Sequence, residues 1–165
     1  MSSFVQTPYA CLQIDVSARD LLATTGNVIR SVDRAPLEKS IARLWGGNNV
    51  LVCLSARSAL DLYLQARSFP PGSRVLISAV NIPDISVVLR YHNLVPVPFD
   101  IDLDTMAPKL SEVEAALSAA AAAGLKQRYV AVLVAHLYGR RFDLAPFVEV
   151  CRRFGVDLIE DAAEA

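Results

Sequence analysis

The stretch Val156-Asp157-Leu158-Ile159-Glu160-Asp161-Ala162-Ala163-Glu164-Ala165 is an apolar run that stops abruptly in two carboxylates and then in very small side chains. Val156 to Ile159 reads as a buried strand. In open α/β sheets a ligand sits just beyond the carboxyl ends of the strands, so Asp161 stands where a carboxylate can face a bound molecule. Ala162 and Ala163 leave room for something flat against the backbone. A strand ending in solvated acids would read the same way, and the rest of the chain has to decide.

Working back from that stretch, the same pattern recurs. Gly155 ends a helix over Leu144 to Phe154 that Asp143 caps. Tyr129 to Val134 is a strongly apolar strand with His136-Leu137-Tyr138-Gly139 as its exit loop. Leu110 to Ala123 is a helix, with Ser111 and Glu114 spaced as a capping box. Val95 to Phe99 is a strand that Pro96 and Pro98 push to a sheet edge or a bulge. Ile85 to Tyr91 is a helix entered through Asn81-Ile82-Pro83-Asp84, and Arg74 to Ala79 is the strand before it. Ser55-Ala56-Arg57-Ser58 leads into a helix over Ala59 to Leu64, after an unbroken apolar run from Asn49 to Leu54 that reads as a doubly buried strand. Pro36 to Trp45 is a helix stopped by Gly46-Gly47, and residues 1–35 read as an arm with at most short helices.

About five strand–helix alternations predict an α/β fold, a parallel sheet with helices on both faces in three αβα layers. Right-handed crossovers put the strand exits on one rim. Residues 55–58, 81–84 and 160–164 are then neighbours there. The first turn of a helix carries unpaired N–H groups and partial positive charge, so Ala56, Arg57 and Ser58 form a candidate anion cup, or simply an N-cap. Neither G-x-G-x-x-G nor G-x-x-x-x-G-K-[ST] occurs, which removes the usual glycine loops of dinucleotide and P-loop sites.

Composition narrows the rest. The 165 residues amount to one domain or part of one, 53% hydrophobic with a net charge of −1 and a mean hydropathy of +0.36. No long basic run points to nucleic acid, no apolar run reaches the roughly 18 residues of a membrane span, and the N-terminus lacks the regions of a signal peptide. Cys11, Cys53 and Cys151 are odd in number and widely spaced, which fits reduced thiols in the cytoplasm better than disulfides or a metal site.

Ser55-Ala56-Arg57-Ser58-Ala59-Leu60, Val75 to Asp84, His136-Leu137-Tyr138-Gly139 and Ile159 to Ala165, in this order and spacing, resemble the first half of the DegT/StrS-type sugar aminotransferases. These are fold-type I enzymes that use pyridoxal phosphate (PLP), and the likeness runs from about Pro36 to Ala165. It implies an aspartate aminotransferase-like large domain over 36–165, truncated so that its C-terminal half is absent. It also implies amino transfer from an amino acid, glutamate being the expected donor, to a keto sugar nucleotide, in a cytoplasmic homodimer. Ala56, Arg57 and Ser58 would hold the phosphate, with Ala56 and Arg57 standing where the family has Gly and Thr. Ile82 would cover the ring in place of an aromatic residue. Asp161 would bind the pyridine nitrogen, Ala163 would lie under the ring, and Glu164 would stand where Gln or His is usual near the phenolic oxygen. Two anionic oxygens repel, so Glu164 is expected protonated or turned away.

No catalytic residue is assigned. The Schiff-base lysine is expected downstream, since Lys39, Lys109 and Lys126 do not belong on the rim. A catalytically silent family member serving as a binding or regulatory subunit, and a lysine-free PLP dehydratase, remain the alternatives. His136 and Tyr138 read as structural rather than acid–base groups. His92 reads as a surface residue, and Glu38 and Lys39 as a solvated helix face.

Overall fold

Val75, Leu76 and Ile77 are all buried, as are Ala131 to Ala135, so the strands that carry them must be covered on both faces. A computed structural model describes residues 16–28, 33–47, 49–124 and 129–165, the side chains at 27 and 28 excepted. The chain divides into two compact units, Met1–Val52 and Cys53–Ala165. In the first, α1 spans Ala18–Val28 and α2 spans Ala35–Trp45. Ser17 and Asp20 cap α1 reciprocally: the Ser17 amide donates to Asp20 at 2.8 Å and the Asp20 amide to Ser17 Oγ at 3.3 Å. Gly46, in the left-handed region, ends α2.

The second unit runs α3 (Ala56–Arg67), β1 (Arg74–Ser78), α4 (Pro83–Tyr91), β2 (Val95–Phe99), α5 (Leu110–Ala122), β3 (Tyr129–Ala135), α6 (Ala145–Phe154) and β4 (Asp157–Asp161). All strand pairs are parallel, in the order β2-β1-β3-β4. The expected αβα layering is present. Period-two alternation sends Val75, Ile77, Ala131 and Leu133 to one face, where Leu60 and Leu64 of α3 and Ile85 and Leu89 of α4 meet them. Leu76, Val132 and Val134 point the other way, into Val113 and Leu117 of α5 and Phe147 and Val150 of α6. Each Val, Leu, Ile or Phe side chain among them contributes about 1.5–3 kcal/mol on leaving water. Pro96 and Pro98 lie on β2 at the edge, where a missing N–H is tolerated.

Some expectations fail. Residues 49–54 form no strand, and Leu54 is fully exposed at 101%. An apolar run becomes a strand only where a neighbouring edge takes its backbone, and here Val52 N–H instead donates to Glu38 Oε1 at 3.0 Å. Glu38 is therefore engaged rather than merely solvated. Ser111 and Glu114 make no capping box, because α5 starts from Lys109 without a side-chain cap. Glu112 takes the Asp100 N–H at 2.7 Å, and Glu114 pairs with Arg153 of α6. Asp143 accepts the Ala145 N–H at 2.9 Å as expected of a cap, although Leu144 is the boundary residue. His92 is not a surface residue: its side chain is 16% exposed and its Nε2 lies 2.7 Å from Asp61. Cys151 is buried, Cys53 partly so, and Cys11 lies outside the described residues. Among the described residues no helix is long and apolar enough to cross a membrane.

Candidate active site

The chain turns back on itself once. β2 is laid on one side of β1, then β3 on the other, so the strand order reverses between β1 and β3. At such a switch point the exit loops diverge and leave a crevice. A cleft of about 260 Å³ occupies it, walled by Val80, Asn81 and Ile82 after β1, Ala135 to Tyr138 after β3, and Asp161, Ala163 and Glu164 at the end of β4.

The far wall is built by backbone pairing past the last ladder rung. His136 N–H donates to the Asp161 carbonyl at 3.0 Å, and Gly139 N–H to the Glu164 carbonyl at 2.7 Å. Tyr138 makes the intervening turn with φ +55, unusual for a side chain of that size, and its ring is exposed. One Asp161 oxygen takes the Ala163 N–H at 3.1 Å, which fixes the carboxylate over its own turn. The Glu164 carboxylate accepts the Tyr138 N–H at 3.3 Å.

On the near side, Ser55 is extended and its Oγ accepts the Ser58 N–H at 3.1 Å, the ordinary cap of α3. The N–H groups of Ala56 and Arg57 have no partner within the helix. The Arg57 guanidinium is paired with the carboxylate of Asp84, in the first turn of α4, so the 55–58 and 81–84 loops are joined. Ile82 is half-exposed and precedes Pro83, the first residue of α4. A second cleft of about 290 Å³ between α3 and β4 is lined by Ala56, Leu60, Tyr63, Ile85, Ile159, Glu160 and Asp161 among others. Burial, and then the hydrogen bond to Asp157, push the Tyr63 hydroxyl far above its usual range.

Of the residues singled out in the sequence, Ile82, Asp161, Ala163 and Glu164 thus meet in the first cleft, and Ala56 joins Asp161 in the second. Arg57 and Ser58 line neither. Among the described residues no lysine does, and Lys109 is held by Asp100 at 3.2 Å. Lys39 lies on α2, while Lys126 falls outside the described residues. Sequence reasoning missed Ser78, fully buried, whose Oγ accepts the Ala135 N–H at 3.4 Å and ties β1 to β3 beneath the cleft. A lone hydroxyl in Arg-Val-Leu-Ile-Ser-Ala was the available signal. It also missed Asn81, whose amide nitrogen is buried without a partner among the described residues.

Comparison with known proteins bears on the family and the fold. The profile of the DegT/DnrJ/EryC1/StrS aminotransferase family matches residues 17–165. GDP-perosamine synthase of Caulobacter vibrioides is 30% identical over 169 residues, which cover 100% of this chain and 43% of that protein. Among solved structures, a DegT DnrJ EryC1 StrS aminotransferase from Brucella abortus superposes with a TM-score of 0.77 at 25% identity, over 88% of this chain and 40% of that one. NtdA of Bacillus subtilis, solved with bound cofactor PMP, shares the fold with a TM-score of 0.74 at 23% identity, over 87% of this chain and 33% of that one. The chain therefore spans less than half the length of these relatives. On the profile match and the superposed fold, this chain belongs to the DegT/DnrJ/EryC1/StrS aminotransferase family.

Proposed function

We propose that the full-length protein uses pyridoxal phosphate to move an amino group from an amino acid, glutamate being the expected donor, to a keto sugar carried on a nucleotide. The observation that carries this reading is the place of Asp161, at the end of β4 and in the wall of the switch-point cleft. The donors present fit the cofactor's chemistry: a carboxylate for a ring nitrogen, small Ala163 beside it, apolar Ile82 opposite, and the first amides of α3 for a phosphate. When bound, the cofactor supplies an electron sink for negative charge at the amino substrate's α carbon.

Each residue then has a task. Asp161 holds a proton on the ring nitrogen, a preference worth about 1–3 pKa units for a close carboxylate. The first turn of α3 grips the phosphate, and the Ser58 hydroxyl, 3.1 Å from Ser55 Oγ, joins it only by turning away from Ser55. Arg57 reaches it only by leaving Asp84. Glu164, engaged with the Tyr138 amide, is turned toward backbone rather than toward a phenolic oxygen. The reading extends to a homodimer in the cytoplasm, on the family resemblance and on the buried free thiol of Cys151.

Replacing Asp161 by Ala in the full-length protein tests the reading. Cofactor uptake, followed by visible absorbance, should weaken by at least about tenfold, in keeping with a pKa effect of one unit or more, and transfer from glutamate should be lost. Unchanged uptake and transfer would overturn it.

A further inference from the structure

We propose that His136 and Glu160 act together as a register lock that decides which of two consecutive acids faces the cofactor, an inference that rests on the function proposed above. Glu160 and Asp161 are chemically alike, and alternation along β4 sends them to opposite faces. Leu158 packs with the α5–α6 cluster and Ile159 with the α3–α4 cluster. Glu160 therefore turns its carboxylate to the α6 face, where His136 meets it, although the residue also borders the α3–β4 cleft, and Asp161 belongs to the face of α3 and its N-terminus. A slip of one residue would exchange them. Among the described strands β4 pairs with β3 alone, so its register has a single neighbour to hold it.

His136 supplies the hold. Its imidazole is 4% exposed, its Nε2 lies 2.8 Å from Glu160 Oε1, and its ring rests on Phe142 with centroids 4.3 Å apart. A carboxylate only accepts, so Nε2 donates to Glu160. Nδ1 is buried and has no partner among the described residues. An unmet buried polar atom is destabilising, and a phenyl ring would pack on Phe142 without it. What the imidazole adds over a phenyl ring is its grip on Glu160. The same residue's N–H holds the Asp161 carbonyl. His136 thus grips two successive residues of β4, one by side chain and one by backbone, and Asp161 has one orientation left. His136 and Glu160 are positioning residues in this scheme, acting on the cofactor through Asp161.

The test uses the full-length protein with Glu160→Ala, Glu160→Gln, His136→Phe, the double variant of Glu160→Ala with His136→Phe, and Asp161→Ala as reference. Two quantities are read: the dissociation constant for pyridoxal phosphate, and the visible circular dichroism of the bound cofactor, which reports how its ring is held. Glu160→Ala and His136→Phe should each weaken binding about tenfold, the scale seen for groups that orient ligands from behind, and diminish the dichroism. The double variant should be no worse than the poorer single one, since both remove one interaction. Glu160→Gln keeps an accepting oxygen and should stay within about twofold of the parent, well short of the alanine loss. Multiplying losses, or unchanged binding and dichroism in Glu160→Ala, overturn the lock. If His136→Phe does not fold, the two substitutions at half-exposed Glu160 decide alone. A damaging Asp161→Ala alongside silent Glu160 and His136 variants would refute the lock only, whereas a silent Asp161→Ala would bring down the underlying function as well.

Discussion

At the scale of single residues, Arg57 and Asp84 carry the sharpest consequence. Their side chains are 56% and 47% exposed, so the pair adds at most about 1 kcal/mol to stability. Its weight falls on charge at the cup. Asp84→Asn should leave the melting temperature nearly unchanged while freeing the guanidinium, and titration with pyridoxal phosphate should show binding tightened by a few-fold. Weaker binding would mean that Asp84 organises the loop instead. Ser55→Ala removes the cap of α3 and should lower stability by about 1 kcal/mol in urea unfolding. These local features were partly legible in advance. Ser-Ala-Arg-Ser before an apolar helix announces a capped N-terminus, and that much is local chemistry. The engagement of Arg57 with a residue 27 positions away was not legible, since it depends on how α3 and α4 pack.

Among the elements, prediction succeeded where hydrophobic pattern and punctuation agreed. Gly155 stops α6 at φ +65, and an added Cβ would meet nothing within 4 Å. Gly155→Ala should therefore cost about 1–2 kcal/mol from backbone conformation alone, measurable as a lower urea midpoint, and Gly155→Asn should cost less because Asn tolerates the left-handed region. The prolines of β2 announced an edge for the same kind of reason, a missing donor. Asn49 to Leu54 shows the opposite case. Its composition suits a strand, yet strand formation needs a partner edge, and composition does not record one. Likewise Ser111 and Glu114 have capping-box spacing but sit two residues too far into α5, because Lys109 rather than the nearest hydroxyl ends the extended segment.

For the whole molecule, stability rests on one sheet between two apolar layers. Leu76→Ala, at a side chain 1% exposed within the α5–α6 layer, should cost about 2–5 kcal/mol in urea unfolding. Stability should also fall in alkali. Burial, with Asp157 adding, pushes the Cys151 thiol up from 9.0 to about 11. A folded-state pKa above the unfolded one means the native protein holds the proton longer, so this contribution is complete below about pH 9 and is lost as pH rises through 11. Tyr63 is raised for the same reason and extends the decline. A urea midpoint that stays flat across this range would contradict both assignments. The sequence by itself determined the α/β alternation, the helix stops, the edge position of β2 and the polar exits after β1 and β4, because each follows from side-chain periodicity or from the backbone limits of Gly and Pro. Only the tertiary structure decided the order β2-β1-β3-β4 and the cleft at its reversal. It also decided the pairing of His136 with Glu160 and the turn of Asp161 toward α3. These depend on which strand lies beside which, and that is a competition among whole layers for buried area rather than a property of any one stretch of chain.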